Sequence, residues 1–157
     1  MSVSNSDLNI LFVCTGNTCR SPMAEQIFNQ EALDVSAHAT SAGLDAQEGS
    51  PINPHAIEAL KGLGYSSTEH SSKLLSTEAV EAADVILTFT QSQKIELGQR
   101  FPAASGKLFT ISEYANSGLD KIEDVPDPYG ESQVVYQETA ERIASLVKVI
   151  VGSLKNS

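Results

Sequence analysis

Short continuous apolar runs alternate along the chain with apolar residues at helical spacing. Ile10 to Val13 is an apolar run bounded by polar residues, the pattern of a buried strand. Met23, Ile27, Phe28 and Leu33 then fall on one helical stripe, which predicts a helix over 23–33 packed on a sheet. Pro22 suits the first turn of that helix, where its missing N–H costs nothing. Residues 35–41 read as a second strand, and 43–53, rich in Gly, Ser and Pro, as a loop. Pro54 opens a second helix through Leu63, with Asn53 as N-cap, Gly64 as its stop and His55 on the surface of its first turn. Polar residues 66–72 precede a short helix over 76–82 capped by Ser76. Asp84 to Phe89 is a third strand whose unbroken Val85, Ile86 and Leu87 fit a sheet covered on both faces. A polar helix over 90–100 ends before Pro102, and 107–111 is a fourth strand. Residues 116–131 are acidic and contain Gly118, Pro126, Pro128 and Gly130, which predicts a surface loop. Ile143, Leu146, Val147, Ile150, Val151 and Leu154 recur at helical spacing, so the chain closes on a long helix with one buried face.

Strands alternating with helices predict an α/β fold: one three-layer α/β/α domain around a four-stranded parallel sheet with right-handed crossovers. Sites in such sheets lie at the carboxyl ends of strands. A length of 157 residues with 41% hydrophobic content is enough for one good core in a soluble domain. The net charge of −10 argues against a nucleic-acid surface and would repel anionic lipid, so any anion site must be local. No apolar run reaches membrane-spanning length, and the polar stretch from Met1 to about residue 7, read as a flexible N-terminus, has no secretory pattern. The only cysteines, Cys14 and Cys19, are too close in sequence to staple distant segments, which fits a reducing cytoplasm. The three histidines are scattered, so neither a metal site nor another cofactor is expected.

Candidate chemistry concentrates where the first strand meets the first helix, in Cys14-Thr15-Gly16-Asn17-Thr18-Cys19-Arg20-Ser21. A strand, a polar loop and a helix start make a nest of backbone donors at the positive end of a helix dipole, which favours a dianion. The same field favours the thiolate, the nucleophilic form of a cysteine at Cys14. Arg20 supplies a planar fork for two phosphoryl oxygens. Ser21 is placed to hydrogen-bond the Cys14 sulfur, Asn17 tolerates a left-handed backbone angle, and Gly16 eases the turn. A nucleotide-binding loop would need further glycines and a lysine, which are absent here. Cys19 is a candidate redox partner for Cys14, alongside a plain packing role. Expulsion of a leaving group calls for an acid outside the loop; Asp127, fixed between Pro126 and Pro128, competes with Asp124 and Asp120.

Residues Cys14 to Glu25, with Ser41-Ala42-Gly43, Pro54 to Leu60 and Asp127-Pro128-Tyr129-Gly130, make the chain similar, from Leu8 to about Leu154, to the low-molecular-weight protein tyrosine phosphatases. It resembles particularly their bacterial protein-arginine-phosphatase branch. The resemblance implies metal-free chemistry through a cysteinyl phosphate, with phosphorylated proteins or peptides as substrates; a monomer is expected as the working unit. It implies Cys14 as nucleophile, Asp127 as general acid, and phosphate contacts from Thr15, Gly16, Asn17, Thr18, Cys19, Arg20 and Ser21. His70 would support the loop near Asn17, and Leu44 and Asp45 would sit at the rim. Thr18, where tyrosine-specific members carry a larger apolar residue, and the lone Tyr129 before Gly130 favour phosphoarginine over phosphotyrosine. An arsenate reductase remains the remote alternative, although no cysteine lies beyond Cys19. A silent phosphate-binding module would lack Cys14 or Asp127.

Overall fold

A computed structural model of the chain describes residues 7–116 and 123–156; residues 1–6, Gly118 and Asp120 lie outside the described residues. The apolar run at the start forms β1 (Leu8–Cys14), followed by α1 (Arg20–Glu31), β2 (Ala37–Gly43), α2 (Pro54–Gly62), α3 (Thr77–Ala82), β3 (Val85–Thr88) and α4 (Gln91–Arg100). A 3-10 segment, Pro102–Lys107, leads into β4 (Leu108–Thr110), α5 (Ile111–Ala115) and α6 (Gln133–Lys155). The four strands are all parallel in the order β2-β1-β3-β4, so β1 is interior and its carboxyl end opens beside β2 and β3.

Successive residues of β1 point to opposite faces, and each face has its own helical layer. Ile10, Phe12 and Cys14 pack with α1, α2, α5 and α6, where Phe12 lies 6.2 Å from both Phe28 and Phe89 between ring centroids. Leu11 and Val13 pack with Ile86, Val80 of α3 and Leu97 of α4. Burial on both faces is what the unbroken apolar runs demand. No helix among the described residues is long and apolar enough to cross a membrane.

Local signals set most helix starts. Asn53, Ser76 and Thr90 accept backbone N–H groups as N-caps, and Gly64 follows α2 in the left-handed region at φ +86°. Three boundaries depart from the sequence reading. Helix α1 runs over 20–31, and Leu33 lies past its end at 85% exposure instead of on the buried stripe. Strand β2 is displaced two residues toward the carboxyl end of the predicted 35–41 span. Helix α6 starts ten residues before Ile143, because its first turns bury Tyr136, Thr139 and Ala140, a face with little apolar signal. The short α5 was not predicted; it rests on a Thr110 and Glu113 capping box.

Candidate active site

The loop between β1 and α1 is held from outside by its own carbonyls. Cys14 O accepts from Leu44 N and Thr15 O from Asp45 N, each at 2.9 Å. Thr18 O accepts from Asn53 N at 2.9 Å, and His70 Nε2 lies 2.7 Å from Asn17 O. With the carbonyls turned outward, none of the N–H groups of residues 15–19 is spent on another backbone carbonyl among the described residues. Cys19, the N-cap of α1, makes no side-chain cap, so the helix start adds its own free donors.

Asn17 is the pivot. It has φ 57°, the one positive value outside glycine among the described residues, and its side chain is fully buried. Its Oδ1 accepts from Lys73 N at 2.9 Å, and its Nδ2 donates to Ser21 Oγ at 2.9 Å and Ser41 Oγ at 3.0 Å. Ser41 in turn donates to Glu25 at 2.5 Å. Since Ser21 Oγ receives the Asn17 proton, its own hydrogen goes to an acceptor; Cys14 Sγ at 2.9 Å is nearer than Ala42 O at 3.5 Å. Gly43 is required by contact: a Cβ there would lie 2.6 Å from Thr15 O and 3.0 Å from Asn17 N.

Arg20 is buried, and its Nη1 donates to Val125 O at 2.9 Å while its carbon lies 6.0 Å from the centroid of the Phe89 ring. Its Nε has no partner among the described residues, which for a buried guanidinium marks a place for an incoming acceptor. Asp127 Oδ2 lies 3.9 Å from Arg20 Nη2, and Asp127 Oδ1 accepts from Tyr129 N at 3.0 Å. The Asp127 side chain is 53% exposed and Tyr129 is 70% exposed. A 230 Å3 cavity is lined by Cys14, Thr15, Gly16, Thr18, Cys19, Arg20, Asp127 and Tyr129.

Thus Cys14, the loop, Arg20, Asp127 and Tyr129 converge, with Asn17, Ser21 and His70 behind the loop. Asp124 instead accepts from Gln91 N at 3.0 Å at the start of α4, and Asp120 lies outside the described residues. Neither Leu44 nor Asp45 lines the cavity: Leu44 is buried in the core behind β1, and Asp45 pairs with Arg100 at 3.1 Å. Cys19 Sγ lies 3.4 Å from the buried Tyr136 hydroxyl, and burial pushes its thiol above the usual range despite that hydrogen bond and one from Thr18. Ser41, Gly43, Lys73, Gln93 and the Val125 carbonyl support the site from behind without a mark in the local sequence pattern of most of them. Only Gly43 carried a usable signal, as a lone glycine ending a strand.

A cradle of unspent amides joined to a cysteine and an arginine, at the carboxyl end of an interior parallel strand, puts the protein in the class of cysteine phosphatases built on one phosphate loop. Residues 9–157 match the model for the low molecular weight phosphotyrosine protein phosphatases, and the chain belongs to that family. It is 37% identical over 152 residues to a protein-arginine-phosphatase of Bacillus subtilis, covering 94% of this chain and 97% of that one. It superposes with a TM-score of 0.89 and 35% identity on a cysteine-to-serine mutant of the arginine phosphatase YwlE with a phosphorylated active-site serine, over 96% and 97% of the two chains. A low molecular weight protein tyrosine phosphatase from T. tengcongensis matches at 43% identity and a TM-score of 0.86, over 94% and 99%.

Proposed function

We propose that the protein removes phosphate from phosphoarginine in proteins through a phosphorylated Cys14. The observation that carries the anion site is the buried Arg20 Nε, without a partner among the described residues, on the same loop as amides that no described backbone carbonyl uses. In the first step the Cys14 sulfur lone pair forms the S–P bond as the P–N bond breaks, and Asp127 gives its proton to the departing guanidine nitrogen. In the second, water adds to phosphorus while Asp127 takes its proton; the S–P bond breaks and its electron pair returns to sulfur. Arg20 and the amides of residues 15–19 hold the phosphoryl oxygens in both steps. Ser21 donates to the sulfur, and His70 and Asn17 keep the loop in shape. The serine-phosphate relative supports a covalent intermediate at the position of Cys14.

Three things support arginine over tyrosine. Thr18 gives the cavity wall a hydroxyl where a phenyl ring would want a hydrocarbon. Gly130 leaves Tyr129 as a single aromatic wall. The Bacillus subtilis relative is named for that activity. Initial rates on phosphoarginine and phosphotyrosine peptides, compared without added metal, test the assignment. Thr18→Ile should shift the kcat/KM ratio toward phosphotyrosine by about 10–200-fold, the worth of a small pocket change. A wild type that already prefers phosphotyrosine, or an unaltered ratio in the variant, refutes it and returns the tyrosine reading.

We place the enzyme in a reducing cytoplasm as a monomer. There, hydrogen peroxide oxidises the Cys14 thiol to a sulfenic acid with release of water, and the Cys19 thiol displaces a second water to close a disulfide. Cys19, a free buried cysteine on the same loop and the same cavity wall, is the candidate resolving thiol. Mass spectrometry of peroxide-inactivated, thiol-recoverable enzyme should show the Cys14 to Cys19 bond; recovery without it removes this role.

A further inference from the structure

Gln93 is buried in the first turn of α4, and its amide has only one possible orientation. Its Oε1 accepts two backbone protons, from Phe89 N at 2.9 Å and Thr90 N at 3.2 Å. Its Nε2 must therefore face the other way, where it donates to Thr15 Oγ1 at 3.2 Å. An oxygen that accepts from an amide keeps its own hydrogen for a different acceptor. Thr15 Oγ1 donates to no group among the described residues, and Thr15 lies on the cavity wall beside Cys14 and Gly16. Its backbone does not turn away, because Thr15 O is held by Asp45 N and packed against Gly43.

We propose that Gln93 is a positioning residue that fixes the Thr15 hydroxyl as a hydrogen-bond donor to a phosphoryl oxygen, a role that rests on the phosphatase reading. The polarity matters to the class of ligand atom. A phosphoryl oxygen only accepts, so the hydroxyl hydrogen that Gln93 leaves free is matched to the phosphate. It adds a side-chain donor to the loop amides and the Arg20 guanidinium. The orientation is set during folding, by the same side chain that caps α4, so no reorganisation is needed when substrate arrives.

The test is a double-mutant cycle read by the Kd of inorganic phosphate and by kcat/KM on an aryl phosphate. Gln93→Glu keeps an acceptor for Phe89 N and Thr90 N and retains the capping box, so the fold persists. Its second oxygen reverses the contact, and Thr15 then donates to it. Thr15→Val and Gln93→Glu should each weaken phosphate binding and kcat/KM by about 10–100-fold, the range of a hydrogen bond to a charged group. Gln93→Glu should cost far less when residue 15 is already valine, and Thr15→Ser should recover what Thr15→Val loses. Equal losses from Gln93→Glu in both backgrounds would mean that its added charge repels the anion, and would overturn the proposal. So would a lowered Tm with binding and kcat/KM intact, which leaves Gln93 as a helix cap only. Phosphate binding is read without turnover, so a wild type that binds phosphate and cleaves no phosphoarginine refutes the substrate assignment separately.

Discussion

Adding one methyl group at Gly43 should disable the site by pushing on the backbone of the phosphate loop from behind. A Cβ there would meet Thr15 O at 2.6 Å, Ala46 Cβ at 2.8 Å and Asn17 N at 3.0 Å. Ordinary van der Waals contact begins near 3.4 Å, so the Thr15 carbonyl must recede by about 0.8 Å. It has little room to do so, since Asp45 N holds that carbonyl and four further contacts fix Asn17. Overpacking of this kind costs about 1–3 kcal/mol. At about 2–4 °C per kcal/mol for a domain of this size, Tm should fall by about 2–12 °C. The larger effect is on rate, because a displacement near 1 Å in a catalytic loop costs about 10²-fold. Stopped assays on an aryl phosphate, with thermal melts on the same samples, measure both. Gly49→Ala is the control: Gly49 sits at φ +87° with nothing within 4 Å of a Cβ, so that variant should lose stability by strain and keep its kcat/KM. A Gly43→Ala enzyme with wild-type kcat/KM, or a Gly49→Ala enzyme equally impaired, would refute the contact argument.

Asp127→Asn should slow cleavage of a poor leaving group by about 10²–10⁴-fold, the worth of a positioned acid, and an unchanged rate would transfer the role to Asp124 or Asp120. Acid stability should depend on Glu113. Burial alone would raise its carboxyl, but the Thr110 N–H, the Lys94 ammonium at 2.9 Å and the Gln91 amide outweigh that and hold it below the usual range. A depressed folded pKa means stabilisation that is present above the unfolded value, near 4.3, and is lost as pH falls through the folded one. Glu113→Gln should therefore flatten the loss of Tm between about pH 5 and pH 3, and parallel curves would exclude the effect.

The loop was legible in the sequence because its chemistry is local: strand, cysteine, arginine and helix start fall within a dozen residues. Its supports were not, because they join residues far apart in the chain. Asn17 meets the Lys73 amide across 56 positions, Gln93 meets Thr15 across 78 and Arg20 meets Val125 across 105. Two of these partners are backbone groups, which leave no mark on residue identity. His70 was found only through resemblance, since a polar histidine in a polar segment is ordinarily solvated. The helix errors have a related cause. Leu33 continued an apolar rhythm after α1 had stopped, whereas Thr139 and Ala140 are buried without looking hydrophobic. Periodicity counts apolar side chains, but burial is decided by the neighbour that arrives.

The outward-turned carbonyls of Cys14, Thr15, Asn17 and Thr18 have a consequence for hydrogen exchange. A loop is usually slow to exchange because it is hydrogen-bonded, or fast because it moves. Here the backbone is anchored through its acceptors while its donors meet no backbone carbonyl among the described residues, so order and exchange protection are separated. The amides of residues 15–19 should exchange quickly in the free protein although their backbone is fixed, and should become protected when a dianion occupies the cavity. Since the chain conformation was already set on folding, that protection comes with little further loss of backbone entropy, and the anion meets donors that are waiting for it.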